Sequence, residues 1–224
     1  MASSKYSSTG NLLMIEEAIR REIEQQQQSA PTAVPLSVQN YGIEEIMEVL
    51  DSLISGQVTM GAKVEQFEAE WAAYIGREHA IMVNSGSSAN LAILFALKNP
   101  SYHNGLSAGD EVITTAIPWA TTVTPIVQIG AIPVFVDVDL ATYNIDVAKV
   151  EDAITARTRA IVPVHLLGNP VAMNEIMEIA KRHDLIVIED ACEAHGASIG
   201  DAKVGSFGLA STFSFFFSHH INTI

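Results

Sequence analysis

The regular alternation of short apolar segments with helical segments constrains this chain more than any other feature of its sequence. Between residues 79 and 189 the short segments are β-branched and apolar on both faces, as the strands of a buried parallel sheet are. Helices alternate with them, so the pattern predicts an α/β fold with a mostly parallel sheet and helices on both sides. The predicted strands are 79–84, 111–115, 132–136, 160–164 and 185–189, and the predicted helices are 12–28, 42–54, 63–75, 87–97, 120–129, 147–154 and 174–182.

The first 34 residues differ in composition from the rest of the chain. The amphipathic helix predicted there runs into four consecutive glutamines and then into a linker bounded by prolines, residues 31–35. We therefore predict an N-terminal helical extension and linker at 1–34, which is either a dimer contact or a mobile tail. Residues 35–224 are predicted to form a single large domain with its own core.

The charge balance and the cysteine count exclude several classes of function. Twelve basic residues against 26 acidic ones give a net charge of -14, which repels nucleic acid and anionic membranes, so neither is expected as a partner. The single cysteine, Cys192, excludes an internal disulfide and a cysteine-only metal site, and it suits a reducing cytoplasm. No apolar run approaches the roughly 20 residues of a membrane helix, and the N-terminus lacks the apolar core of a signal peptide. We predict a cytoplasmic protein without a metal site.

Polar residues follow several of the predicted strands, where ligands of parallel α/β sheets bind. In the segment 84–90, Gly86 permits a tight turn, and Ser87 and Ser88 offer hydroxyl groups where the next helix begins. The backbone amides at such a helix start favour a phosphate. The alternative is an ordinary strand-to-helix turn capped by serine, and this segment alone favours that alternative.

Two further strand ends carry candidate site residues. Trp119 can lie flat against an aromatic ring, although a buried packing role is the alternative. Asp190 ends an apolar strand, where burying a carboxylate costs free energy unless it is paired with a proton donor. A protonated pyridine nitrogen would be such a donor. The alternative is that Asp190 is the N-cap of a helix. Glu193 could reach the other edge of the same ring, and we interpret His195 as a satisfied structural histidine. The order of phosphate turn, aromatic residue and aspartate along one sheet edge favours a cofactor site.

The end of the sequence carries two consecutive histidines, His219 and His220, and no lysine follows Lys203. An imidazole forms no stable Schiff base, but its pKa of about 6.5 suits proton transfer at neutral pH. Taken alone, the pair is more simply explained as two surface histidines. Together with the upstream segments, His219 is the candidate catalytic residue, with His220 as a packing or hydrogen-bonding neighbour.

From about residue 35 onward the sequence resembles the DegT/DnrJ family of sugar aminotransferases, which are pyridoxal-phosphate enzymes of fold type I, the aspartate-aminotransferase fold. The segments that carry this resemblance are 56–61, 84–90, 108–113, 133–139, 165–170, 189–196 and 212–215. The cofactor-binding residues that it implies are Gly86, Ser87 and Ser214 for the phosphate, Trp119 for the ring face, Asp190 for the ring nitrogen and Glu193 for the hydroxyl side. It also implies a homodimer and a longer chain, so residues 35–224 would be a partial cofactor-binding large domain with the small C-terminal domain absent.

One departure from the family pattern directs the functional hypothesis. Family aminotransferases carry a lysine at the position of His219, whereas the 3-dehydratase branch carries a histidine and uses the free amine, pyridoxamine 5'-phosphate, in place of tethered pyridoxal 5'-phosphate. The resemblance therefore implies 3-dehydration of a nucleotide-linked 4-keto-6-deoxy sugar in deoxysugar biosynthesis, with His219 as acid and base. A sugar aminotransferase and a non-catalytic cofactor-binding fragment remain as alternatives.

Overall fold

The structure, a computed structural model, describes residues 10–26, 33–34, 41–102 and 104–221. Its helices are α1 (Gly10–Gln26), α2 (Ile43–Ser55), α3 (Ala62–Ile75), α4 (Gly86–Leu97), α5 (Ala120–Gln128), α6 (Val147–Val150) and α7 (Met173–His183), with 3-10 turns at Glu151–Ala153 and Leu166–Gly168. The chain divides into two compact units, one up to Glu65 and one from Gln66. The predicted boundary between residues 34 and 35 stays a prediction.

The N-terminal unit contains α1 and α2. The α2 helix begins after Gly42, whose backbone N–H is bound by the Glu45 carboxylate at 2.7 Å, and it ends at Gly56 in the left-handed conformation. Lys63 lies 2.8 Å from Glu48 and 2.9 Å from Asp51, so two acidic side chains of α2 share one cation.

The second unit is built on a parallel sheet. Its strands are β1 (Glu111–Thr115), β2 (Ile132–Val136), β3 (Thr158–Val162), β4 (Ile186–Asp190) and β7 (Ala210–Thr212), and a small antiparallel hairpin joins β5 (Ser198–Ile199) to β6 (Ala202–Lys203). The five sheet strands lie in the order β2-β1-β3-β4-β7, and all neighbours are parallel. The predicted α/β fold with a mostly parallel sheet is confirmed.

The core occupies both faces of this sheet. Consecutive residues of a strand point to opposite faces, and in β1 both Val112 and Ile113 are fully buried. Ile113 belongs to a cluster that includes Ile176 of α7, whereas Val112 belongs to a cluster that includes Leu94 of α4 and Ile126 of α5. Helices therefore cover both faces, which is why these strands read as continuous apolar runs.

Several element predictions need correction. Residues 79–84 form no strand among the described residues; the N–H of Met82 instead donates to the Glu68 carboxylate at 2.6 Å. The helix predicted at 147–154 ends as α6 at Val150 and continues as a 3-10 turn. Strand β3 begins two residues earlier than predicted, and β7 was missed because its three residues carry no apolar run. The last two residues of the helix predicted at 12–28 lie outside the described residues.

Candidate functional site

A cavity of about 750 Å³ opens at the carboxyl ends of the central strands, entirely within the second unit. This is where a parallel sheet presents polar side chains to a ligand. The cavity is lined by all seven residues singled out in the sequence: Gly86, Ser87, Trp119, Asp190, Glu193, Ser214 and His219. The structure thus brings together residues from α4, α5, the end of β4 and the segment after β7.

The first turn of α4 forms one wall of the cavity. Ser85, in an extended conformation, caps the helix by accepting the N–H of Ser88 at 3.1 Å, so this serine has the capping role that the sequence offered as the alternative. Ser87 makes no cap and is exposed beside the cavity. Gly86 is buried, and a Cβ there would lie 2.6 Å from the Cβ of Ser214 and 3.0 Å from the Sγ of Cys192. Only glycine lets α4 approach the segment after β7 this closely. The helix amides and the hydroxyls of Ser87 and Ser214 fit a phosphate.

Asp190 ends β4 and is 4% exposed. Its Oδ2 accepts hydrogen bonds from Asn90 Nδ2 at 3.0 Å and from Thr122 Oγ1 at 2.8 Å, and its Oδ1 accepts the N–H of Cys192 at 3.2 Å. No helix begins after this residue, so the N-cap alternative is wrong. A buried carboxylate with these donors is held as an acceptor at the cavity wall.

Trp119 stands at the N-terminus of α5 and is 76% exposed. A packing tryptophan would be buried, so that alternative is wrong for this side chain. Because its indole lines the cavity while most of its surface remains accessible, a flat aromatic ligand can contact it.

His219 lines the cavity, and its backbone N–H donates to the carbonyl of Phe216 at 2.9 Å. Partial burial lowers the pKa of His219 below its ordinary value; the carboxylates of Glu193 and Asp190 oppose this, and the charge on His220 adds to it. A lowered pKa leaves more of the imidazole neutral near pH 7, the form that accepts a proton.

Glu193 lines the cavity and also supports a neighbouring turn. Its Oε2 accepts the N–H of Leu167 at 2.8 Å. Leu167 lies in the 3-10 turn Leu166–Gly168 with a φ of 54°, a left-handed conformation that is costly for a residue with a branched side chain. One oxygen of Glu193 therefore holds this turn, and within the described ranges no hydrogen bond to its other oxygen is seen.

His195 is not the satisfied structural histidine that the sequence suggested. Both ring nitrogens are buried, and neither makes a hydrogen bond of normal geometry within the described part of the chain. The ring packs against Trp71, Phe213 and Phe215, with centroids 5.2 to 5.8 Å away. Burial, followed by the charges on His219 and His220, lowers the pKa of His195 to about 4, although the nearby backbone of Ser214 slightly favours the protonated ring. The ring is therefore neutral at pH 7.

Three residues of the site were missed as individual residues in the sequence. Thr212 Oγ1 donates to Asn90 Oδ1 at 2.7 Å, and Asn90 and Thr122 both donate to Asp190. Asn90 and Thr212 belong to segments noted in the sequence, and Thr122 to a predicted helix, but no local signal shows that Asn90 and Thr122 meet one carboxylate. Thr212 lies 122 residues from Asn90, so only the fold reveals their contact.

The described residues contain neither a membrane-spanning helix nor a cluster of metal-ligating side chains. Within the ranges that the structure describes, no helix is long and apolar enough to cross a membrane. Among the same residues, no group of three or more histidine, cysteine, aspartate or glutamate side chains is arranged to hold a metal ion.

Comparison with known proteins gives consistent matches. The family model described as the DegT/DnrJ/EryC1/StrS aminotransferase family matches residues 39–224. The GDP-4-keto-6-deoxy-D-mannose 3-dehydratase of Yersinia pseudotuberculosis is 42% identical over 193 residues, which are 85% of this chain and 48% of that protein. The dTDP-4-dehydro-2,6-dideoxy-D-glucose 3-dehydratase of Saccharopolyspora spinosa is 43% identical over 181 residues, which are 80% of this chain and 39% of that protein.

A solved structure of the E. coli GDP-4-keto-6-deoxy-D-mannose-3-dehydratase with bound hydrated PLP matches with a TM-score of 0.82 and 41% identity. The match covers 86% of this chain and 49% of that one, so the chain spans about half the length of these relatives or less. The likeness confirms the expected aminotransferase-like fold. Because the family model matches more than three quarters of its residues, this chain belongs to the DegT/DnrJ/EryC1/StrS aminotransferase family.

Proposed function

We propose that this chain carries the cofactor site of a 3-dehydratase that acts on a nucleotide-linked 4-keto-6-deoxy sugar with pyridoxamine 5'-phosphate. The observation that carries the proposal is the position of His219. It lines the same cavity as Asp190 and Trp119, and it occupies the sequence position at which an aminotransferase of this family would present a lysine. The 3-dehydratase names of the relatives described above support the same conclusion.

The residues around the cavity fit the proposed cofactor. The close approach of Gly86 to Ser214 and the exposed hydroxyl of Ser87 suit the phosphate, and the accessible indole of Trp119 suits the ring face. Asp190 would pair with the ring nitrogen, and the free oxygen of Glu193 would face the hydroxyl side. When bound, the cofactor supplies an electron-accepting ring whose nitrogen stays protonated beside a carboxylate.

His219 would transfer the protons of the reaction. Its lowered pKa favours the neutral imidazole, which can take up a proton at a ring nitrogen. Once protonated, the same ring can return a proton to the C3 hydroxyl of the sugar, so that this group leaves as water. The partial burial of His219 limits exchange of that proton with solvent.

The test is to incubate the purified protein with pyridoxal 5'-phosphate, reduce it with borohydride, and look for a labelled side chain by mass spectrometry. We expect no covalent label, binding of pyridoxamine 5'-phosphate without a visible absorption band, and loss of a C3 oxygen from the sugar substrate. His219→Asn should lower turnover by about 10²–10⁴-fold, as removal of a general acid and base does. The neighbouring variant His220→Asn is the control and should keep most of the activity.

Other outcomes of this experiment would identify the alternatives. A labelled lysine with a visible band and formation of an amino sugar would make the protein a sugar aminotransferase, as the family description suggests. Binding of pyridoxamine 5'-phosphate without turnover would make the chain a non-catalytic cofactor-binding fragment. No binding of either form of the cofactor would overturn the proposal.

The proposal extends to assembly and location. A homodimer follows from the family resemblance, with residues 1–34 as an extension, and a cytoplasmic location is supported by the acidic composition and the single cysteine. Light scattering coupled to size-exclusion chromatography would test the dimer, and fractionation of cells would test the location.

A further inference from the structure

The carboxylate of Asp190 stands at the end of a directed chain of hydrogen bonds. Burial and the negative charge of Asp190 raise the pKa of the Cys192 thiol, so the thiol stays protonated and points to Thr212 Oγ1 at 3.9 Å. Thr212 donates to the Asn90 amide oxygen at 2.7 Å, and the Asn90 amide nitrogen donates to Asp190 at 3.0 Å. Thr122 donates to the same carboxylate oxygen at 2.8 Å. Each donor in the chain is therefore oriented toward one negative charge.

The orientation of the Asn90 amide follows from this arrangement. An ionised carboxylate only accepts hydrogen bonds, so the amide nitrogen must face Asp190 and the amide oxygen must face Thr212. Thr212 is then obliged to donate, since the amide oxygen cannot. Asn90, Thr122 and Thr212 are at most 6% exposed, so water does not replace these contacts easily.

The bonds are distributed unequally over the two carboxylate oxygens. Two side-chain donors, from Asn90 and Thr122, occupy Oδ2, which has two lone pairs. Oδ1 accepts the longer bond from the Cys192 backbone, at 3.2 Å, and keeps acceptor capacity. The residues that bind Oδ2 come from α4 and α5, and Thr212 comes from β7, so three elements together set the direction of the carboxylate on β4.

We propose that Asn90, Thr122 and Thr212 are positioning residues that orient the carboxylate of Asp190 and aim its Oδ1 at the ring nitrogen of the cofactor. This inference rests on the proposed function, since it names what fixes the carboxylate of the same site. All three residues also line the cavity, but their side-chain hydrogen bonds run to Asp190 and to one another, so we assign them an action through that carboxylate. Their contribution should therefore depend on the presence of a ring nitrogen in the ligand.

That dependence gives the test. The dissociation constants of pyridoxamine 5'-phosphate and of its 1-deaza analogue, in which carbon replaces the ring nitrogen, are measured for the wild-type protein and for Asn90→Ala, Thr122→Val and Thr212→Val. Because a hydrogen bond to a charged group is worth more than one between neutral groups, we expect Asn90→Ala and Thr122→Val to bind the natural cofactor about tenfold more weakly. The same variants should bind the deaza analogue almost as the wild type does.

Two variants serve as matched controls. Thr114 is a fully buried strand threonine whose Oγ1 donates to the carbonyl of Val162 at 2.8 Å, and Thr124 lies on α5 and bonds the carbonyl of Ala120. Thr114→Val and Thr124→Val remove a threonine hydroxyl without touching the Asp190 chain, so they should leave both dissociation constants unchanged. Thr212→Ser, which keeps the hydroxyl, should restore the affinity that Thr212→Val loses.

The outcomes separate this inference from the proposed function. Equal losses for the natural cofactor and the deaza analogue would show a merely structural role and overturn the inference, while the proposed function would stand. If the wild-type protein bound neither ligand, the proposed function would fail. The ¹³Cγ chemical shift of Asp190, measured at pH 7 without ligand, tests the positioning by itself. It should move in Asn90→Ala and Thr122→Val but not in Thr114→Val, and an unchanged shift in the first two variants would overturn the inference.

Discussion

Glu189 and Asp190 are consecutive residues of β4, and their carboxylates lie in opposite kinds of surroundings. Glu189 is fully buried and accepts the backbone N–H groups of Gly205, Phe207 and Gly208 at 2.7 to 2.8 Å. Asp190 is nearly as buried, but its strongest donors are side chains and it lines the cavity. Burial alone therefore does not separate a structural carboxylate from a candidate functional one; the kind of donor and access to a cavity do.

The contacts of Glu189 hold the loop of residues 205–208 against β4. His165 accepts the N–H of Val171 at Nδ1, so its proton is on Nε2, which lies 3.3 Å from Glu189 without good hydrogen-bond alignment. Although burial disfavours the charge, His165 and the backbone amides of Gly208 and Gly205 hold the pKa of Glu189 below its ordinary value. Backbone donors cannot rotate away, so the carboxylate ties residues 205–208 to β4. Residues 205–208 lead directly into β7, so the position of that strand beside β4 depends on this contact.

The largest expected effect is therefore on stability at Glu189. Glu189→Gln replaces one acceptor oxygen by an NH₂ group that faces backbone donors, and it leaves buried N–H groups unpaired. We expect a loss of about 3 kcal/mol or more in the free energy of unfolding, measured by urea denaturation. Glu175→Gln, on the exposed first turn of α7, is the control and should change stability little. A loss below about 1 kcal/mol at Glu189 would remove the distinction between the two carboxylates.

The second prediction concerns Asp190, where a substitution should affect turnover more than stability. Asp190→Asn keeps the shape of the side chain but removes the charge that would stabilise a protonated ring nitrogen. We expect turnover to fall by about 10²–10³-fold, the loss typical of an electrostatic group aimed at a reacting centre. The free energy of unfolding, measured in the same urea experiment, should fall less than in Glu189→Gln. Full activity in Asp190→Asn would contradict the assignment of Asp190 to the cofactor.

A third prediction concerns the close contact on the cavity side. In Gly86→Ala the new Cβ would lie 2.6 Å from the Cβ of Ser214, so one of the two segments must shift. Such overpacking costs about 1–3 kcal/mol, which urea denaturation would measure. Affinity for inorganic phosphate, measured by calorimetry, should fall at the same time. Unchanged phosphate affinity would show that the α4 turn is only a capped turn.

The smallest effect is a pH dependence at His195, whose ring packs behind the cavity-lining residues Trp71, Phe213 and Phe215. His195 has a pKa of about 4 in the folded protein, below its ordinary value of 6.5, so the unfolded chain binds a proton more readily. Its contribution to stability is complete above pH 6.5 and is lost as the pH falls toward 4. His195→Phe should flatten the slope of unfolding free energy against pH in this window by up to about one proton.

The control for that measurement is His79→Asn, since the side chain of His79 is largely exposed and should not alter the slope. A slope that is the same in His195→Phe and the wild-type protein would show that His195 titrates normally. The comparison between the two sides of β4 would then reduce to the carboxylates alone.

Much of the fold could be predicted because it depends on local patterns. Strands β1 and β2 have the predicted bounds, since each is a short segment rich in β-branched residues. The segment 79–84 has a similar pattern but forms no strand among the described residues, because pairing requires a neighbouring strand and the Glu68 carboxylate binds the Met82 amide instead. Periodicity predicts a conformation, whereas pairing depends on residues distant in the sequence.

The sequence by itself determined the α/β class, the family and seven of the residues that line the cavity, because these follow from periodicity and from the short segments that carry the family resemblance. Only the tertiary structure decided which groups bind those side chains. It placed Asn90 and Thr122 on Asp190, across 100 and 68 residues of sequence, and left His195 without a well-aligned partner in the described region. The physical reason is that hydrogen bonds extend over about 3 Å, so they depend on how elements pack and not on their order along the chain.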